Sequence, residues 1–267
     1  MDYKIMTMNP KDGSESLVAS VGKSRITSVV YVPASNEVMG VADNEKLVRV
    51  NVATKQVTTV TIALPPVRDV LISDLVVDKN NNLYGIRDDW SGPQQILTLV
   101  KIDPATGNNT DVKAFVSAET WYEPVYIPAT NEIVGITNSG KKLLRLNLTT
   151  KDTVGVDLPG STEIPCRELI VDNKSNLFAY KNNFFSINNG DVTELVKVNA
   201  VTGQETLLKV LPAGGEQDVN LLFVPQWNEF IGIWDQSSIN RINATTFNIT
   251  PVTIKAGPYN YIDIISN

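Results

Sequence analysis

Almost every side chain here that could do chemistry carries oxygen. Histidine is absent and Cys166 is the single cysteine, so the commonest general base is missing and a zinc site built on nitrogen or sulfur ligands is excluded. Cys166 stands in "EIPCRELIVD" beside Arg167 and Glu168. With no imidazole to activate it, it reads as a buried structural thiol rather than a nucleophile. There is no G-x-S-x-G elbow, no phosphate-binding loop and no dinucleotide fingerprint. What remains is acids set far apart: Asp74 in "LISDLVVD", Glu123 in "TWYEPVYIP", Glu168, Asp218 in "EQDVNLLFVP" and Asp263 in "YIDIIS". If the fold brings them together they suit a hard cation such as calcium, which takes about six to eight oxygens; taken singly they read as solvated loop carboxylates, with Arg167 pairing one of them. A second set mixes aromatics with polar groups: Arg87, Asp88 and Trp90 in "RDDWSGP", Trp121 and Tyr122, Arg167, Trp234 and Asp235 in "WDQSS", and Tyr261. Aromatic faces beside carboxylates and amides suit a sugar or a peptide.

Composition limits the partners. The chain has 267 residues, 42% of them hydrophobic, and a net charge of -6. It can bury a full core, and it lacks the ~18 to 20 consecutive apolar residues of a membrane span. An acidic balance without a basic tract argues against nucleic acid. The opening "MDYKIMTMNP" has no apolar signal-peptide core and reads at once as a strand. That fits either a cytoplasmic protein or, as the many Asn and Thr favour, the mature segment of an exported one.

The elements that must position these residues are repeated. "VYVPASNEVMG" at Val30–Gly40 returns as "VYIPATNEIVG" at Val125–Gly135, seven of eleven positions identical. The same kind of phrase recurs as "LVVD", "LIVD" and "LFVP", and each is followed by an Asn-containing turn and a second apolar run, the pattern of a tight hairpin. A third run alternates with period two in "LVRVN", "LVKID", "LLRLN", "LVKVN" and "INRIN", as a strand with one buried face does. After it comes a turn of the form Asn/Asp-x-x-Thr-x, starting at Asn51, Asp103, Asn147, Asn199 and Asn243, with a relative at Asn9. The spacings between these six turns, 42, 52, 44, 52 and 44 residues, alternate. The deeper repeat is therefore a pair of units.

Four short strands in about 45 residues, repeated along the chain, predict an all-β fold, a six-bladed β-propeller in a single domain spanning 1–267. A β-sandwich has no reason for a regular period, and a β-helix wants a shorter one. The expected blades are 27–62, 71–117, 122–158, 166–211, 219–254, and a sixth from 259–267 with 1–21. The last is closed by strands from both ends and is short of a second strand.

With "KIDPATG" at Lys101–Gly107 and "KVNAVTG" at Lys197–Gly203, the chain resembles the bacterial six-bladed propellers of the NHL, YVTN and quinoprotein-like group. The resemblance implies a channel lined by each blade's first strand, with a functional face where those strands begin. On that implication Asp74, Glu123, Glu168, Asp218 and Asp263 would ring the channel mouth, and the aromatic set would form its rim. The group includes dehydrogenases, lactonases, lyases and interaction platforms, and the first and third of these rely on histidine. Two functions remain: a monomeric, noncatalytic platform for a protein, peptide or carbohydrate, without a cofactor, and a calcium-dependent hydrolase of the lactonase kind.

Overall fold

The computed structural model describes residues 3–66, 70–116, 121–137, 140–161, 165–182, 193–211, 220–233 and 238–255. Strands dominate, arranged in antiparallel sheets whose order follows the chain. After a two-stranded sheet of β1 (Tyr3–Asn9) and β2 (Ser14–Gly22), blade I is β3 (Ile26–Val32), β4 (Glu37–Ala42), β5 (Lys46–Asn51) and β6 (Val57–Thr61). Blade II is β7 (Val70–Val77), β8 (Leu83–Asp89), β9 (Ile96–Ile102) and β10 (Asn109–Val116). Blade III is β11 (Tyr122–Ile127), β12 (Glu132–Thr137), β13 (Lys142–Asn147) and β14 (Thr153–Asp157). Blade IV is β15 (Cys166–Val171), β16 (Leu177–Asn182), β17 (Thr193–Val198) and β18 (Glu205–Leu211), and blade V is β19 (Asn220–Val224), β20 (Glu229–Ile233), β21 (Ser238–Asn243) and β22 (Ile249–Thr253). The fold is thus an all-β propeller, but the described residues form five four-stranded blades and not the expected six. Among the described residues the sixth unit supplies the two strands β1 and β2; its expected partner stretch, 259–267, lies outside them.

All five Asn/Asp-x-x-Thr-x turns and their relative at Asn9 form, and they share one geometry. The first residue's carbonyl accepts the N–H of the fifth at 2.8–2.9 Å, as in Gly107 to Asp103 and Lys151 to Asn147. Its side-chain oxygen accepts the N–H two residues on, as from Ala53, Ala105, Thr149, Val201 and Thr245. The fifth residue is left-handed in every case, at Gly13, Lys55, Gly107, Lys151, Gly203 and Phe247. Glycine stands at alternate turns, and there the neighbouring blade presses against it: a Cβ on Gly107 would collide with the Thr61 carbonyl of β6, one on Gly203 with that of Asp157 in β14, and one on Gly13 with that of Thr253 in β22. Beyond two of those outer strands the chain then donates back, Ala63 N–H to Gly107 O at 2.9 Å and Lys255 N–H to Gly13 O at 3.0 Å.

The alternating spacing corresponds to two kinds of blade. In blades I, III and V the first hairpin turns through Pro33, Pro128 or Pro225, and a second-strand glutamate clamps a third-strand arginine: Glu37 to Arg49, Glu132 to Arg145, Glu229 to Arg241, at 2.7–2.9 Å. In blades II and IV an aspartate replaces the proline. Asp78 takes the N–H groups of Asn80 and Asn82 at 2.8 and 2.9 Å, and Asp172 those of Lys174 and Asn176. Their clamp reaches from the second strand to the fourth, Arg87 to Asp111 and Lys181 to Glu205. Local turn chemistry and cross-strand charge thus repeat with the period of a blade pair.

Two compact units are distinguished, Met1–Thr7 with Ser16–Thr120 and Asn267, and Met8–Glu15 with Trp121–Ser266. In the first, blades I and II share a core of Met39, Val41 and Leu47 with Ile72, Leu75 and Val100. In the second, Ile136 and Leu143 of blade III pack with Leu169, Ala179 and Val196 of blade IV. Phe178 of blade IV meets Phe230 of blade V edge to face, ring centres 4.9 Å apart, an arrangement that adds about 0.5–1.5 kcal/mol to simple burial.

The turns make opposite predictions for two substitutions. Gly203→Ala should destabilise the fold by about 2 kcal/mol or more, since strain and collision add, whereas Lys151→Gly should stabilise it by about 1 kcal/mol by relieving a left-handed lysine. Urea unfolding of both variants checks the pair.

Candidate functional site

The expected channel-mouth acids sit on a recurring irregularity. In blades I to III the first strand carries an extra residue against the second, between Thr27 and Val30, Ser73 and Val76, and Tyr122 and Val125. The first residue of each bulge is left-handed and polar: Ser28 (φ 51), Asp74 (φ 44) and Glu123 (φ 50). β15 is irregular in the same place, between Cys166 and Glu168. A left-handed residue other than glycine costs about 1–3 kcal/mol and is held there by its surroundings.

Part of the reason is backbone satisfaction. The first strand is an edge of its sheet, and two of these side chains cap an edge N–H on the following blade. Ser28 Oγ accepts from Leu75 N at 2.5 Å, and Glu168 Oε2 accepts from Leu221 N at 2.9 Å. Glu168, expected as a metal ligand, therefore commits a carboxylate oxygen to holding blade V. Glu123 is exposed. Asp74 differs: burial pushes its carboxyl above the ordinary range, and a hydrogen bond from Ser73 only partly offsets this. Asp218 and Asp263 lie outside the described residues, and among those described no three acids, cysteines or histidines come together as a metal-ligand group.

The aromatic rim divides. Trp121 is only 2% exposed, and its indole lies over Gly135, where any Cβ would run into the ring. It is core, not rim. Tyr122 is half-buried against the shared core of blades III and IV. Arg87 is committed to Asp111 through two bonds of 2.8 and 3.1 Å. Arg167 is exposed, while Trp234, Asp235 and Tyr261 lie outside the described residues. That leaves the connection from β8 to β9. Asp88 accepts both its bonds from Gln95 Nε2, at 3.0 and 3.1 Å. Asp89 accepts from the Ser91 N–H and hydroxyl, which hold its carboxyl below the usual range. Beside them Trp90 is 55% exposed.

One polar cluster has no counterpart in the sequence reading. Lys181, 2% exposed, donates to the Gly160 carbonyl at 2.6 Å and to Glu205 at 2.5 Å. Ser161 Oγ donates to the other Glu205 oxygen at 2.7 Å and lies 3.3 Å from Cys166 Sγ. Burial pushes the Cys166 thiol up to about 11, which keeps it protonated and inert. The available sign was a lysine closing the otherwise apolar strand "LFAYK". Its partner is 24 residues away and carried no local mark.

No protein-family model matches the chain, and no curated protein does. Solved structures do. An oligogalacturonate lyase in complex with manganese superposes with a TM-score of 0.65 at 13% identity, over 92% of this chain and 70% of the other. The oligogalacturonate lyase of Vibrio parahaemolyticus gives 0.62 at 11%, over 95% and 72%. A chain of a nidogen/laminin complex gives 0.65 at 9%, over 94% and 90%. At such identities the likeness shows the fold, a β-propeller, and carries no activity with it.

Two substitutions test the electrostatics. Because the Asp74 pKa is raised in the folded state, its stabilising contribution is present below the unfolded value of 3.8 and is lost as pH rises through the folded one. Asp74→Asn should therefore raise the melting temperature at pH 7 and lose most of that gain at pH 3. Lys181→Met should cost about 3–5 kcal/mol by stranding Glu205, and adding Glu205→Leu should recover much of it. Melting curves of the single and double variants decide.

Proposed function

We propose that the chain is a noncatalytic binding platform for a carbohydrate or for a protein or peptide, acting as a monomer. Trp90 is the observation that carries this. An indole more than half exposed, preceded by Asp88 and Asp89 with their carboxylates fixed by Gln95 and Ser91, offers a stacking face beside oriented acceptors. Holding those carboxylates before a ligand arrives lowers the ordering cost of binding. An exported location is proposed with it. Propellers of this shape include one from a nidogen/laminin complex and two oligogalacturonate lyases, so both partner classes are compatible with the fold.

A second reading, a calcium-dependent hydrolase, rests on Asp74 and draws support from the manganese in one structural neighbour. Ionising a desolvated carboxyl is unfavourable without a cation, and a bound divalent ion would reverse that. Of its other proposed ligands, Glu168 is engaged with Leu221 and Glu123 is exposed.

Glycan and peptide arrays probed with the wild-type protein and Trp90→Ala separate the two. A platform predicts hits that disappear in Trp90→Ala at an unchanged melting temperature. If every hit survives the substitution, the Trp90 surface is excluded. A melting temperature raised by millimolar calcium, and no longer raised in Asp74→Asn, would favour the hydrolase and make lactone turnover the next assay.

A further inference from the structure

Blades I and II, and blades III and IV, meet through equivalent joints that differ around one arginine. In the first, Arg49 gives Nε and Nη2 to Glu37 and its remaining group, Nη1, to the Pro104 carbonyl of blade II at 3.0 Å. Asp103, the first residue of that turn, also lies close enough to Arg49 for the guanidinium to help lower its pKa, behind the larger effects of Thr106 and Ala105. In the second, Arg145 gives Nε and Nη2 to Glu132 in the same way, but Nη1 has no bond to Ala200, which stands where Pro104 does, nor to any other described residue. Where the first joint has Asp103, the second has the neutral Asn199. It therefore lacks both the bond to a turn carbonyl and the carboxylate near Arg49.

Beside it opens a cleft of about 440 Å³ lined by Arg145, Lys197, Asn199 and Gln204 together with the apolar Ile127 and Leu177. Asn51 and Asn147 use their side-chain N–H groups on Ser35 O and Thr130 O; the same group of Asn199 finds no acceptor among the described residues. The Lys197 amine and the Gln204 amide likewise have none there. The acid of the cleft, Glu132, is already engaged by Arg145 and by the Thr130 hydroxyl at 2.8 Å. Arg145 and Lys197 against Glu132 leave one cation in excess.

We infer that this cleft binds the carboxylate of a small polar molecule, of the size of a sugar acid, between Arg145 and Lys197. The carboxylate sits between the two cations beside Asn199, and the apolar Ile127 and Leu177 receive the rest of the ligand. A bare inorganic anion would leave most of the volume unused. The site is independent of the Trp90 surface.

The sister joint supplies the control. Asn199→Asp keeps the turn, since Asp103 caps its own in the same way, and puts a carboxylate of the chain into the cleft. Backbone amide shifts are followed in ¹⁵N-labelled protein at fixed ionic strength, with D-glucuronate, D-glucose and inorganic phosphate as probes. Glucuronate should move the amides of residues 197–204 saturably and glucose should not. Asn199→Asp should abolish the response, and Lys197→Gln should weaken it about tenfold, the loss of roughly one charge-assisted bond. Equal shifts with glucose, or unchanged glucuronate binding in Asn199→Asp, would overturn the assignment. So would phosphate binding to the same amides as tightly as glucuronate, which would mark a bare anion site.

Discussion

A four-stranded antiparallel sheet ends in two open edges, and the unpaired N–H groups along them must find acceptors or stay in water. Much of this molecule answers that constraint. At the first-strand edge the acceptor comes from the preceding blade, Ser28 for Leu75 and Glu168 for Leu221. Past the fourth strand it comes from the next turn, Gly107 O for Ala63 and Gly13 O for Lys255. Ser28 and Glu168, side chains of a kind that can hold a ligand, are thereby used as joinery. The left-handed bulges follow from the same need, because a bulge re-aims a side chain at the price of a ladder bond.

The strands and turns were legible in the sequence because they are local. Period-two runs, and an Asn or Asp placed four residues before a left-handed position, declare themselves within a few residues. The pairwise period was legible too, and it proves to mark two turn types and two charge clamps. The roles of single residues were not, since they depend on partners far along the chain. Arg87 is occupied by Asp111, 24 residues on, and Glu168 by a backbone group 53 residues on. Trp121 looked like rim because it sits beside Tyr122 and Glu123. Gly135 decides its position, and the recurring glycine of "NEIVGI" was the available clue that something large lies against the second strand.

Burial sorts the charged groups into different roles. Lys181 and Glu205 are almost sealed from water, with side chains 3% and 7% exposed, and act as a fixed polar cross-brace. Arg145 and Glu132 are each 13% exposed and border open space, so the same chemistry there keeps one group for solvent or a guest. Asp74 is the least comfortable, a desolvated acid on a strained backbone. Such costs tend to persist where something other than stability is being served.

The two kinds of blade also bear on ancestry. Because turn, clamp and glycine all alternate together, adjacent blades differ more from each other than blades two apart do. A chain that grew by copying one blade at a time would have had to acquire that alternation several times over. Copying a two-blade segment of about 95 residues transmits it in a single step, and loss or gain of chain by that length leaves every outer strand facing a turn that fits it. The natural unit of inheritance, and of recombination in the laboratory, is the pair.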